Sequence, residues 1–418
     1  MSYLLFFFYL FIFCWCISRI KFFKDSGLSI RLITGLFLVR VIAGILSTYI
    51  NFNYYPVTDA SIFRDQGVEE YNLLFHNTAE YFTNIFRSNH NNSYSGFMES
   101  SGSYWNDTRS NIIVKMLSIF NIFTGKNFYI NTLLYNFLIF FGAVALYKVF
   151  IKVFPSYSYT LIACIFLLPS AVYYTSGIHR DGLIFLALSL LIYHLTLMLR
   201  NKQLSWKRVL LSLFFLLLIL LLRNFVFIIL VPAITAWIIA ERNPRHAFPV
   251  FAGIYILVGI LFFCSGFFSP NTDLPRYTCQ RQLAFIELAK NGASAIDIKP
   301  LYPNFRSFLN NTPQALNHSL MRPYLTEHRN FFYIPAAVEI LLYEVLFVLF
   351  IFFRRKNIQP PPLVYFSCFV GLTMFLVIGY TIPIIGAIVR YRSIYFTWVL
   401  IPVACYTDWG KLKKYFHI

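Results

Sequence analysis

Acidic residues are scarce in this 418-residue chain: 17 Asp and Glu stand against 35 Lys and Arg, a formal charge of +18, and charged side chains of both signs together reach only 12%. A soluble domain carries about a quarter charged residues, so a chain this poor in charge cannot cover an ordinary water-facing surface. Paired cysteine spacings are missing too. The seven cysteines are Cys14, Cys16, Cys164, Cys264, Cys279, Cys368 and Cys405, with no C-x-x-C among them, which excludes a zinc ribbon or a disulfide framework read from spacing. There is no P-loop and no G-x-G-x-x-G after a strand pattern, so a soluble nucleotide sugar is not expected as a direct donor. Internal repeats and low-complexity segments are lacking. The N-terminus also lacks the polarity of a cleaved leader, because MSYLLFFFYLFIFCWCIS has no basic residue ahead of its apolar run while Arg19, Lys21, Lys24 and Arg31 follow it. It reads as an uncleaved first membrane helix with its N-terminus outside.

What the chain has in excess is apolar surface: 58% hydrophobic residues, with 48 Phe and 29 Tyr, gathered in runs of roughly 15 to 20 residues, the length that crosses a bilayer core. The expected fold is all-α, a polytopic transmembrane bundle forming one integral membrane domain over residues 1–418. About eleven spans are expected, at 3–18, 32–50, 128–147, 158–175, 182–199, 209–222, 225–240, 247–268, 336–353, 363–380 and 393–407. In a soluble chain the basic excess would suggest nucleic acid. Here it is what cytoplasmic loops carry, and no nucleic-acid partner is expected.

Basic clusters fall at Arg19 to Arg31, Lys148 and Lys152, Arg200 to Arg208, Arg242 and Arg245, Arg354 to Lys356, and Lys411 to Lys414. If all lie in the cytosol, an even number of crossings separates each from the next. That parity splits the apolar stretch 209–239 into a hairpin with Arg223 at or just below the outer surface. It also leaves residues 51–127 and 269–335 as two large extracytoplasmic segments and sets the C-terminus inside. The expected location is a bacterial inner membrane.

Within the first segment, TDASIFRDQGVEEYNLLF can start a helix capped by Thr58 or Asp59. Further on, IIVKMLSIFNIF shows Lys115, Ser118 and Asn121 at every third position, which fits an interfacial helix with that polar stripe toward water and its Ile, Leu and Phe side in the acyl boundary. The second segment has a helix pattern ending at Asn291 and Gly292, then Pro-punctuated stretches with Asn and aromatics that suit a lid over sugars.

Charges collect on the presumed outer face, where the positive-inside rule would not put arginines. Asp59, nine positions past its span, is placed among headgroups, where it can serve as catalytic base; Asp65, further along the same helix, could contact substrate. The alternative is a cap and a solvated helix face. In TSGIHRDGLIF, His179 and Asp181 are candidate proton-handling groups and Arg180 a bidentate phosphate ligand. The bland reading makes Asp181 a helix cap and Arg180 a headgroup anchor. H-R-D also occurs in the protein-kinase catalytic loop, but Gly182 and Leu186 stand here where that loop has Leu and Asn. Arg223, Arg390 and Arg392 complete a candidate ring for an anionic substrate or for lipid headgroups. Arg40 lies halfway along its span, where a charge is costly; Glu339 and Glu344 in the 336–353 span raise the same question, and Glu344 is a candidate ion-pair partner for Arg40.

A spanning helix, an outer loop with an early carboxylate, interfacial helices and a return helix, over about residues 32–200, together resemble the start of GT-C fold glycosyltransferases. That resemblance implies a carboxylate acting as base or metal ligand and a polyprenyl-phosphate-linked sugar donor. The extra first helix and the absence of an adjacent Asp-Asp or Glu-Asp pair depart from the family layout. The segments SSGSYWNDTRSN, SGIHRDG and PQALNHSLMRPY look like segments of bacterial polytopic membrane proteins of unassigned function. Three functions remain open: a membrane glycosyltransferase passing a sugar from a lipid-linked donor to a surface glycan or lipid acceptor, an O-antigen or exopolysaccharide polymerase or ligase, and a transporter or flippase of a lipid-linked anion. The cofactor is either none or a divalent cation, with no metal ligands assigned. The expected partners are the bilayer, the lipid-linked sugar and a glycan acceptor.

Overall fold

The computed structural model describes residues 2–55, 58–84, 104–201, 205–268, 272–290, 294–327, 333–356 and 358–416. Its helices are α1 (Ser2–Arg19), α2 (Lys21–Lys24), α3 (Ile30–Asn53), α4 (Asp59–His76), α5 (Thr78–Thr83), α6 (Tyr104–Thr124), α7 (Phe128–Phe150), α8 (Ser158–Phe166), α9 (Pro169–Ser176), α10 (Arg180–Asn201), α11 (Trp206–Leu222), α12 (Asn224–Arg242), α13 (Ala247–Phe268), α14 (Leu274–Ala289), α15 (Phe305–Leu320), α16 (Ile334–Phe353), α17 (Pro362–Thr381), α18 (Ile385–Tyr406) and α19 (Trp409–Phe416). Among the described residues the only β pairing is two isolated bridges, Ala295 with Ile384 and Arg354 with Thr407. The all-helical, multi-pass character expected from the apolar runs is present.

Seven helices are long and apolar enough to cross a bilayer: α3, α7, α10, α12, α13 with the short turn before it, α16 and α17. The bent pair α8 and α9 makes an eighth if it crosses as one. This is fewer than the eleven spans drawn from sequence. The helix at the first apolar run and the 17-residue α11 are short, and the 22-residue α18 is diluted by Arg390, Arg392, Ser393 and Thr397. The spans also differ in how protein covers them. In α7, 72% of the apolar stretch is buried, against 11% in α13, so α7 is a central helix and α13 presents Ile256, Leu257, Ile260 and Leu261 outward as a lipid-type surface.

Two compact units divide the chain. The first holds α1 to α7 and α9 to α11. In it α4 starts with a reciprocal cap, Thr58 accepting from the Ser61 amide while the Ser61 hydroxyl accepts from the Thr58 amide. Helix α6 packs on α4 and α5 with its polar stripe turned inward, opposite to the sequence expectation. Lys115, Ser118 and Asn121 are buried, whereas Ile119, Ile122 and Phe123 are exposed. Lys115 Nζ lies 2.5 Å from Glu70 and 3.6 Å from the Tyr81 ring centroid, Ser118 shares a hydrogen bond with the Tyr81 hydroxyl, and Asn121 donates to the Gly67 carbonyl. A period-three polar stripe fits water or a polar partner equally well, and here the partner is another helix of the same segment.

The second unit holds α12 to α19 and most of α8. At one end of its helices α14 and α15 fold onto the last turns of α17. Gln282 donates to the Tyr380 carbonyl at 2.8 Å and accepts from the Leu301 amide at 2.8 Å, and the Tyr380 hydroxyl meets Thr312 at 2.5 Å. Gly379 lies against the backbone of Ala315, where a Cβ would collide with the Ala315 carbonyl. Helix α14 ends at Ala289 with Lys290 as its C-cap, and Asn291 and Gly292 lie outside the described residues.

Candidate functional site

The T-S-G-I-H-R-D-G stretch is a buried break between two helices rather than an exposed mouth. Helix α9 stops at Ser176, Gly177 turns the chain with an extended backbone, and α10 begins at Arg180. Ser176 is 0% exposed, Ile178 1% and His179 5%. A chain that breaks its helix away from water must find other donors for the freed carbonyls, and three carbonyls here are met by side chains from neighbouring helices. Arg40 of α3 donates to the Thr175 carbonyl at 3.2 Å and to its hydroxyl at 3.0 Å. Asn136 of α7 donates to the Ser176 carbonyl at 2.8 Å, and Tyr135 donates to the His179 carbonyl at 2.5 Å.

This arrangement answers why an arginine sits in the middle of α3. Its charge rests on the C-terminal carbonyl end of α9, the negative end of the helix dipole, with its guanidinium 5.9 Å from the Phe185 ring centroid. The partner that Arg40 finds is Thr175, inside the first unit. Small residues make the fit possible: a Cβ on Gly44 would stand 2.5 Å from Asn136 Nδ2, and one on Gly182 would strike the Tyr135 hydroxyl.

The three charged or titratable side chains expected together at this turn diverge. Asp181, 0% exposed, forms an ion pair with Arg223 at 2.7 Å. Arg223 is the break between α11 and α12 expected from sequence, with φ −153° and ψ 94°, but it is buried, 7% exposed, rather than at a surface. Such a pair is costly to desolvate, and losing one member strands the other. Arg180 turns the other way, donating to Ser110 of α6 at 2.8 Å with its guanidinium 5.6 Å from the Phe63 ring of α4. It is half-buried, the most accessible cation of the turn. His179 is enclosed beside Gly177.

Phe63 carries the connection to Asp59, one helical turn earlier on α4. Asp59 is the first residue of that helix and is exposed; Thr58, not Asp59, supplies the cap. Its carboxylate lies where the helix N-terminus favours negative charge. Asp65, by contrast, is an exposed partner of adjacent Arg64 at 2.8 Å, with side chains 62% and 41% exposed. Such a pair contributes well under about 1 kcal/mol. Asp107 side-chain placement lies outside the described residues, as does that of Trp105.

Arg390 and Arg392 belong to the second unit. Two positions apart on α18, they point to nearly opposite sides of the helix. Arg392 is 2% exposed, donates to the Ser319 carbonyl at 2.8 Å and has its guanidinium 5.4 Å from the Phe396 ring, holding α15 to α18. Arg390 is half-buried beside Tyr391. Near the same α15 end, His318 is 2% exposed and its Nδ1 has no hydrogen-bond partner. Burial, reinforced by the Arg322 charge, lowers its pKa to about 4.

Sequence reasoning missed the buried polar seam that organises the first unit. Helix α7 carries Asn131, Thr132, Tyr135 and Asn136, and α3 carries Arg40, Gly44, Ser47, Thr48 and Asn51. Thr48 and Thr132 hydroxyls meet at 3.1 Å, and Asn131 donates to Asn121 at 2.7 Å. The signal was present: polar residues at positions one, four and five apart within an otherwise apolar span mark one face. Among the described residues no group of three or more His, Cys, Asp or Glu side chains is placed to hold a metal ion. No protein-family model, curated protein or solved structure matches the chain.

Proposed function

We propose that the protein is a polytopic membrane glycosyltransferase that takes a sugar from a polyprenyl-phosphate-linked donor on the extracytoplasmic face and passes it to a surface glycan or lipid acceptor. The observation that supports this reading is the placement of Arg180, a half-buried cation held on Phe63, against the same helix whose first turn carries exposed Asp59. A guanidinium and a carboxylate on one helix pairing are the two groups the transfer needs. Asp59 accepts the proton of the acceptor hydroxyl as its oxygen bonds to the anomeric carbon. The bond from that carbon to the phosphate oxygen breaks with inversion, the leaving phosphate keeps the electron pair, and Arg180 balances its charge. Asp181 and Arg223 act as positioning residues, since their ion pair fixes the start of α10 from which Arg180 projects. This reading keeps eleven crossings, an outer N-terminus, an inner C-terminus and a bacterial inner membrane as its topology. A polymerase or ligase would use the same pair of groups and differ in the acceptor.

The test is glycan output. Asp59→Asn and Arg180→Gln, each shown to be inserted at wild-type levels, are expected to lower transfer from a lipid-linked sugar by about a hundredfold or more. Full transfer by Asp59→Asn overturns the assignment of the base.

One observation favours a second reading. A mid-helix arginine beside an interrupted span is a feature of membrane transporters, and Arg40 lies against the end of α9, the second half of the bent pair. Vesicles containing the protein that move a labelled polyprenyl phosphate across the bilayer, without making a glycosidic bond, would carry that reading and overturn the first.

A further inference from the structure

Far from this site in sequence, the two last basic clusters of the chain are joined by backbone. The Arg354 to Thr407 bridge is flanked by the Arg355 amide donating to the Tyr406 carbonyl at 2.9 Å and the Asp408 amide donating to the Phe353 carbonyl at 2.7 Å. These bonds fasten the exit of α16 to the exit of α18, and Phe353 and Tyr415 rings meet edge-on with centroids 5.7 Å apart. Arg354, Arg355 and Lys356 are exposed, as are Lys411 and Lys414 on α19. The nearest acid, Asp408, has a side chain only 23% exposed and stands 4.0 Å from Lys411. A third cluster adjoins: Gln359 donates to the Pro244 carbonyl at 3.2 Å, beside exposed Arg242, Arg245 and His246.

Helix α19 has the pattern of a surface-lying segment. Trp409 donates to the Ala404 carbonyl at 2.9 Å and Leu412 is half-buried, whereas Lys411, Lys414 and Tyr415 face outward. A short amphipathic helix fastened to the end of a membrane span, here α16, lies at headgroup depth, and clustered Lys and Arg there meet the phosphates of anionic lipids at about 1 kcal/mol each. Paired by the bridge, the clusters act as one surface rather than as two independent loops.

We propose that the Arg354 to Lys356 segment and α19 form a single platform that binds anionic phospholipid headgroups. The platform holds the end of α16 and the end of α18 in register with the bilayer surface through charge, independently of any reaction at Asp59 and Arg180.

Purified full-length protein in mixed micelles of phosphatidylglycerol and phosphatidylcholine tests this, with the retained lipid measured by mass spectrometry. The wild type is expected to enrich phosphatidylglycerol, and the enrichment is expected to fall as salt rises. R354Q/R355Q/K356Q and K411Q/K414Q are each expected to reduce it by about fivefold or more, and the five-fold substituted chain to abolish it. K126Q, in the first unit, is expected to leave it unchanged. Undiminished enrichment in the five-fold variant overturns the proposal, as does equal retention of the two lipids or preferential capture of inorganic polyphosphate or nucleic acid. If a variant does not fold, the wild type decides alone: a phosphatidylglycerol preference that does not weaken with salt overturns the platform.

Discussion

The helix pair α4 and α6 and the helix pair α15 and α17 solve one problem in two ways. Each seats a helix from a large connecting segment on buried polar groups, α6 by its Lys115, Ser118 and Asn121 stripe and α15 by a mixed face in which Asn311 and His318 are buried beside Phe308 and Ala315. In the first unit the lock is charged: Lys115 reaches Glu70 at 2.5 Å and also donates to the Tyr81 carbonyl at 2.5 Å. In the second it is neutral, made by Gln282, Thr312 and Tyr380 around the Gly379 to Ala315 contact. A charged lock demands both partners, because one left alone is a poorly hydrated charge. A neutral amide and hydroxyl lock loses less per group but depends on close backbone approach, for which only glycine leaves room.

The largest expected effect breaks the charged lock from one side. Lys115→Met strands Glu70 and is expected to lower stability by about 3 kcal/mol, whereas Lys115→Met with Glu70→Gln regains most of it; thermal unfolding of the purified protein checks both. An equal loss in the single and double variants would mean that the pair is not the lock. Next comes the neutral side, where Gly379→Ala forces α15 away from α17 and costs about 2 kcal/mol, read as a lower unfolding midpoint. Gln282→Ala is expected to cost about 1 kcal/mol through its lost hydrogen bonds.

Acid should separate the two locks further. His318 has a folded-state pKa lowered to about 4, so the unfolded chain takes up its proton first, near pH 6.5. The stability that neutral His318 contributes is therefore full above about pH 6.5 and declines as pH falls toward 4, with a loss of at most about 2 kcal/mol by pH 5. His318→Leu should flatten that part of the pH profile; an unchanged slope would assign it elsewhere. Smallest is Asp65→Asn, expected within about 0.5 kcal/mol of wild type because its pair with Arg64 is solvated.

Helix positions were legible in the sequence because long apolar runs admit few alternatives inside a bilayer. The break at Arg223 was legible too, since a charged residue in the middle of an apolar stretch interrupts it. The direction of the α6 stripe was not: Lys115, Ser118 and Asn121 look the same whether they face water or Glu70, Tyr81 and Gly67. The turn at Ser176 to Asp181 read as an exposed loop from its Ser, Gly, His, Arg and Asp content, because nothing local reveals that Arg40, Tyr135 and Asn136 cover its carbonyls. Arg392 likewise looked like a ligand for anions, and its use on the Ser319 carbonyl depends on a helix more than seventy residues earlier. At the candidate site Asp59 and Arg180 stood out in the sequence as candidate groups, but the contact of Arg180 with Phe63 on the helix of Asp59 did not.

The stitched turn between α9 and α10 also constrains how the chain is made. Arg40, Tyr135 and Asn136 all precede Thr175 in the chain, so a ribosome delivers the donors before the carbonyls they must satisfy. Nascent α9 therefore enters a membrane in which its donors already stand, and the costly gap in its hydrogen bonding closes as it arrives. A circularly permuted chain that began at α9 would have to insert that gap with no neighbour waiting for it.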